Sequence, residues 1–166
     1  MGFLPIATMA GGTGGAYLNP KDKEFRLDFL TTCTRDGELP YLHPALGITL
    51  QPLKYMEYSL EGVQQTPLLN NSATVMINLP RPERYALHKL IVASLREGAF
   101  SIKRGKDLLQ ACLLLQVMRE MHRWSVEEAW ADLQERGPAW RKHANQGLEL
   151  LNNRFPEYKF TDWLLT

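Results

Sequence analysis

The chain has 166 residues, 45% of them hydrophobic and 22% charged, which is enough for a sizeable core and close to average globular composition. A formal net charge of +1 excludes a uniformly cationic nucleic-acid coat and an acidic solvating tail, leaving only local patches. The two cysteines, Cys33 and Cys112, lie outside any C-x-x-C pair, which excludes a disulfide framework, a zinc knuckle and a thioredoxin motif and predicts reduced thiols in a cytoplasmic protein.

Residues 1–80 hold eight of the twelve glycines and seven of the ten prolines between short apolar runs, a strand-and-turn texture. Residues 1–10 are apolar, but no basic residue precedes them and Pro5 interrupts them, so they make a poor signal peptide. Residues 11–15, Gly-Gly-Thr-Gly-Gly, are expected as a flexible loop. A phosphate loop would need a Gly-Lys-Ser/Thr end, and a dinucleotide fingerprint would need a helix where Tyr17-Leu-Asn-Pro20 stands. Residues 19–24 are expected as a polar turn. Residues 24–30 alternate, with Phe25, Leu27 and Phe29 on one face and Arg26, Asp28 and Leu30 on the other, which predicts a strand. A carboxylate within such a strand is costly to bury unless it is paired or binds a metal, so Asp28 is either an edge-strand acid or a ligand. Residues 35–37 predict a turn and residues 47–50 a short apolar run ended by Pro52. Residues 56–60 predict a strand or turn, and residues 73–79 a buried strand closed by Pro80.

Residues 81–166 read as helix nearly throughout. Residues 83–96 place Leu87, Leu90, Ile91 and Leu95 on one face and stop at Glu97-Gly98. Residues 106–122 predict a second helix with Leu109, Cys112, Leu113 and Val117 inward. Its apolar run is broken by Gln116 and falls far short of the roughly 20 residues that span a bilayer, so no membrane partner is expected. Ser125-Val-Glu-Glu128 has capping-box spacing and predicts the start of a third helix that stops at Gly137-Pro138; residues 138–153 predict a fourth. Strands followed by helices, without βαβ alternation, argue an α+β protein with domains at 1–80 and 81–166.

Arg84, Lys89, Arg96, Lys103, Arg104 and Lys106 stand against a single acid, Glu97. Lys89 and Arg96 are two helical turns apart and share a face, which is either a solvated basic surface or a cradle for a polyphosphate. His88 alone says little, and Trp124, Trp130, Trp140 and Trp163 read as packing residues.

Together, Phe25-Arg-Leu-Asp28-Phe-Leu, His43-Pro-Ala-Leu-Gly47, Gln51-Pro-Leu-Lys-Tyr-Met56, Leu79-Pro-Arg-Pro-Glu-Arg-Tyr-Ala-Leu-His-Lys-Leu-Ile-Val-Ala93 and Lys106-Asp-Leu resemble an uncharacterised bacterial family. That family has a nucleotidyltransferase fold of the DNA polymerase β-like superfamily. The run from Arg84 to Ala93 is the most specific piece. The chain also resembles, more loosely, the nucleotidyltransferase toxins of abortive-infection systems, which carry a helical Lys and a later Lys-Asp pair.

The resemblance implies three carboxylates, two of them as Asp-x-Asp/Glu on one strand after a Gly-Gly/Ser turn and the third on a neighbouring strand. They would hold two Mg²⁺ ions that bridge the phosphates of an NTP while a nucleotidyl group passes to a hydroxyl. Asp28 matches the third carboxylate, as a metal ligand and catalytic residue. Lys89 and the Lys106-Asp107 pair match positions that contact phosphates or organise the site, and Arg96 joins them from the shared helical face. The paired carboxylates should lie before residues 2–5, so the expectation is an incomplete palm sheet followed by a helical domain, inactive alone, with Mg²⁺ only in the complete enzyme. The acceptor is open, nucleic acid among the candidates. The alternative is a non-enzymatic remnant acting as an interaction or nucleic-acid-binding module. An exposed sheet edge would favour self-association through the strand around Asp28 or that around Val75.

Overall fold

A computed structural model describes residues 2–7, 13–33, 37–98 and 101–165; residues 11 and 12 of the glycine stretch and 35 and 36 of the expected turn lie outside them. Strands occupy the first half of the chain and helices the second, which makes the protein α+β, as the sequence texture requires. The chain divides into two compact units, residues 1–57 and residues 58–166.

The first unit is built from two small sheets. Strands β1 (Leu4–Ala7), β2 (Thr13–Asn19) and β3 (Asp22–Asp28) form an antiparallel sheet in that order. The turn at Pro20-Lys21 is held by Asn19 Oδ1, which accepts the Lys21 N–H at 3.0 Å. In the second sheet β6 (Ile48–Leu53) is central, parallel to β4 (Leu30–Thr32) and antiparallel to β5 (Tyr41–His43). Phe29 joins the two sheets: its N–H donates to the Gly15 carbonyl at 2.6 Å and its carbonyl accepts the Gln51 N–H at 2.9 Å. That close approach explains Gly15, where a Cβ would lie 2.6 Å from the Phe29 oxygen and 2.8 Å from the Gln51 nitrogen. Residues 13–15, expected as loop, are therefore strand. The Tyr17 ring meets the Phe29 ring edge-on at 5.3 Å, and its hydroxyl accepts the Thr49 N–H at 3.2 Å.

Helix α1 (Met56–Leu60) forms where a strand or turn was expected. In the second unit a hairpin of β7 (Gln64–Leu69) and β8 (Thr74–Leu79) precedes α2 (Pro82–Leu95), α3 (Ser101–Met121), α4 (Arg123–Glu135) and α5 (Pro138–Arg154). A 3-10 turn (Pro156–Tyr158) and α6 (Thr161–Leu164) follow. Helix α2 is the core of this unit, in contact with α3, α4 and α5, and Ala86, Leu87, Leu90, Ile91 and Ala93 expose no surface. Helix α5 reaches α2 through Gly147, where a Cβ would lie 2.2 Å from the Leu90 carbonyl oxygen. Pro82 and Pro138 open their helices, where a missing N–H costs nothing.

Three further expectations change. The strand at residues 73–79 exists as β8, but Val75 and Met76 are exposed, because a two-stranded hairpin has no second layer of its own. Helix α3 turns inward the stripe Leu108, Ala111, Cys112, Leu115 and Met118, leaving Leu109, Leu113 and Val117 exposed. The helix carries apolar residues on both stripes, and the buried one also contains Asp107, which an apolar-face reading leaves out. Helix α4 starts at Arg123 with His122 as N-cap and no side-chain cap bond, two residues before the capping-box position.

Candidate site on helices α2 and α3

Helix α2 presents Lys89 but stops one residue short of Arg96, which follows as its extended C-cap, and α3 turns Asp107 toward both. The Lys89 Nζ donates to Asp107 Oδ1 at 3.0 Å, and the Arg96 Nε donates to Asp107 Oδ2. Each carboxylate oxygen thus has its own cation. The Asp107 side chain is 4% exposed, against 17% for Lys89 and 23% for Arg96. A buried carboxylate is tolerated only when it is paired, and this one is paired twice. Two cations on one anion leave a positive excess at the partly open ends of Lys89 and Arg96. The Lys89 Nζ also stands 5.1 Å from the centre of the Tyr85 ring. Arg104, from the first turn of α3, donates to the carbonyls of Ala93 (3.2 Å) and Arg96, closing the C-terminal end of α2.

The structure therefore brings together Lys89, Arg96 and Asp107. Lys106 is exposed beside them in the chain, and Asp28 belongs to the other unit. Asp28 ends β3, is exposed, accepts the Arg26 Nε at 2.7 Å and stands opposite Ala16 in the β2 register. Asp22 and Glu24, expected in a polar turn, open the same strand, and Asp22 Oδ1 accepts the Glu24 N–H at 3.1 Å. Among the described residues no group of three His, Cys, Asp or Glu side chains gathers as metal ligands would. A lone carboxylate bound to an arginine does not fit a two-Mg²⁺ site, which needs several anionic oxygens.

A second ionic cluster escaped the sequence reading. Arg84 and Arg136 stand 4.8 Å and 4.9 Å from the centre of the Tyr58 ring. Arg84 pairs with Glu61 (3.2 Å) and Asp132 (3.0 Å), and Arg136 pairs with the same two acids. The Tyr58 hydroxyl donates to the Ala129 carbonyl at 2.7 Å, and burial pushes its pKa well above the usual tyrosine range. Hydrogen bonding from Arg136 holds the Glu61 carboxyl below its ordinary pKa. The Asp132–Arg136 spacing is that of an i,i+4 helical pair, whereas Tyr58 lies in residues 56–60, where the sequence predicts a strand or turn. A third feature, a groove of about 430 Å³, contains Ser94 and His143 at 3.1 Å. The Ser94 hydroxyl also donates to the Ile91 carbonyl at 2.8 Å, a bond within its own helix.

Residues 3–135 match the model of a family described as nucleotidyltransferase. The chain is also similar to a solved structure described as an antigenic nucleotidyltransferase-like protein from Paracoccidioides brasiliensis, at 16% identity and a TM-score of 0.34. That alignment covers 87% of this chain and 61% of the other, so the chain spans about three-fifths of that protein's length. No curated protein matches. Among the described residues no helix is long and apolar enough to cross a membrane, and Cys33 and Cys112 are both free thiols.

Proposed function

Because the chain belongs to the nucleotidyltransferase family, we propose that it serves the transfer of a nucleotidyl group from an NTP to a hydroxyl acceptor, with Lys89 and Arg96 binding the triphosphate. The observation that carries this reading is the convergence of both cations on the buried Asp107. Asp107 is a positioning residue: it fixes the separation of an ammonium and a guanidinium before any phosphate arrives. A phosphate at their open ends then gains charge-assisted hydrogen bonds without first ordering two long side chains. Arg96 offers its planar fork and Lys89 a compact point charge, the combination that phosphate sites use. Lys106 adds exposed positive charge next to Asp107 in the chain.

In this reading, set in the bacterial cytoplasm, Asp28 would offer Mg²⁺ a single carboxylate, already engaged by Arg26, and does not by itself hold the ion. One carboxylate does not retain two Mg²⁺ ions, so no metal-dependent transfer is expected from Asp28 alone. The test is calorimetric titration with inorganic tripolyphosphate and with ATP. Weak binding by the wild type is expected, with Lys89→Ala weakening it by about 1–3 kcal/mol, the range for losing a charge-assisted contact. Equal binding by both proteins would reduce the cluster to a structural ion pair. A second reading, a non-enzymatic interaction module, is favoured by the exposed apolar stripe of α3 (Ile102, Leu109, Leu113, Val117 and Met121) and predicts no triphosphate binding at all.

A further inference from the structure

The β7–β8 hairpin has two outer edges, and they are chemically different. At its loop Asn70 and Ala73 exchange hydrogen bonds, Asn70 N–H to Ala73 O at 2.9 Å and Ala73 N–H to Asn70 O at 3.4 Å. Opposed residues in an antiparallel pair alternate between bonded and non-bonded positions. Counting from that pair along the register, Leu68 with Val75, Thr66 with Ile77 and Gln64 with Leu79 are bonded across the hairpin. The backbone groups of Thr74, Met76 and Asn78 on β8, and of Gln65, Pro67 and Leu69 on β7, therefore face outward. Pro67 has no N–H, so the β7 edge lacks its central donor, whereas the β8 edge keeps all three donors and all three acceptors. Among the described residues no further strand pairs with either edge.

Sheet edges are commonly guarded by charge, and this one is not. Between Gly62 and Arg81 there is no charged residue. Leu68, Val75 and Leu79 on one face of the hairpin, and Leu69 and Met76 on the other, are exposed. A lone two-stranded hairpin is marginal in water and gains from further strands.

We propose that β8 pairs antiparallel with β8 of a second copy of this chain, about a two-fold axis at Met76. The occupant is a second copy because the edge is complementary to itself. Centred on Met76, the two strands bond Met76 to Met76 of the second copy and Thr74 to Asn78 of the second copy in both directions, using every outward donor and acceptor of β8. The same register sets Val75 against Ile77 of the second copy, a β-branched pair of the kind that stabilises cross-strand contacts. No like charges meet. The result is a four-stranded sheet with the order β7-β8-β8-β7 and the Pro67 edges outermost, an isologous interface in which each contact occurs twice.

Sedimentation equilibrium of the full chain tests this. The wild type is expected to form a concentration-dependent dimer. Met76→Lys, which sets two like charges at the axis on an exposed position, is expected to weaken it roughly tenfold or more with an unchanged circular dichroism spectrum. Leu113→Glu, on the exposed stripe of α3, is expected to leave the dimer intact. Independently of those variants, Met76→Cys is expected to cross-link under oxidation above the background of Cys33 and Cys112, and Leu69→Cys on the β7 edge is not. A bonded pair places its Cα atoms about 5.5 Å apart, within disulfide reach. A wild type that stays monomeric at every concentration would overturn the proposal. So would a dimer broken by Leu113→Glu and not by Met76→Lys, or equal cross-linking by Leu69→Cys and Met76→Cys.

Discussion

Asp107 is one acid between two bases, and its removal has a definite sign. Asp107→Ala leaves Lys89 and Arg96 facing each other with no anion between them, in a site where the carboxylate was 4% exposed. Removing one member of a buried ionic group typically costs about 3 kcal/mol or more, and urea unfolding is expected to show a loss of that size. A loss within about 0.5 kcal/mol would mean that solvent carries both charges and that Asp107 positions nothing. Glu61 gives a pH-dependent prediction. Its folded pKa lies below the unfolded value of about 4.3, so its stabilisation is complete above that value and fades as pH falls through the lower folded value. The Glu61 side chain is 45% exposed and the effect is correspondingly modest. Glu61→Gln is expected to be less stable than wild type at neutral pH and to converge with it in strong acid; a stability gap that does not narrow with acidification contradicts the pairing. At this scale the sequence paired Lys89 with Arg96 through two helical turns, but α2 ends at Leu95 and Arg96 reaches Asp107 from an extended C-cap. It could not show that they close on Asp107, because the rotation of α3 about its own axis is not written in a helix with two apolar stripes.

That rotation is decided where elements pack. In α3 the residues Leu108, Ala111, Leu115 and Met118 follow the spacing of a buried stripe as well as Leu109, Leu113 and Val117 do. The choice falls to the stripe that also delivers Asp107 to Lys89 on α2 and to Arg96 at its C-cap. Helix existence and order were legible, since Pro82, Gly98 and Gly137-Pro138 punctuate the chain where helices begin and end. Close approaches were not legible, because Gly15 and Gly147 look like any other glycine until a neighbouring backbone is placed beside them. Gly147→Ala must push α5 away from the Leu90 carbonyl, a rigid backbone atom, and is expected to lower stability by about 1–3 kcal/mol in chemical unfolding. An unchanged midpoint would mean that α2 and α5 do not touch there.

For the whole molecule, the glycine and proline distribution was enough to read strands before helices, and hence the α+β class. The family resemblance rested on short runs such as Arg84 to Ala93, which form the core helix α2, and the family match extends over residues 3–135. Residues 73–79 read as buried because a run of Val, Met, Ile and Leu is normally covered; no local pattern announces that, among the described residues, β8 pairs with β7 alone. The proposed function has Lys89 and Arg96 holding the triphosphate of an NTP, with no transfer completed by Asp28 alone. Incubation with Mg²⁺ and an α-phosphate-labelled NTP tests both halves at once. Label is expected to be retained reversibly by the wild type, less so by Lys89→Ala, and to be absent from any covalent product. Metal-dependent covalent incorporation by the 166-residue chain, or no retention of label at all, would contradict it.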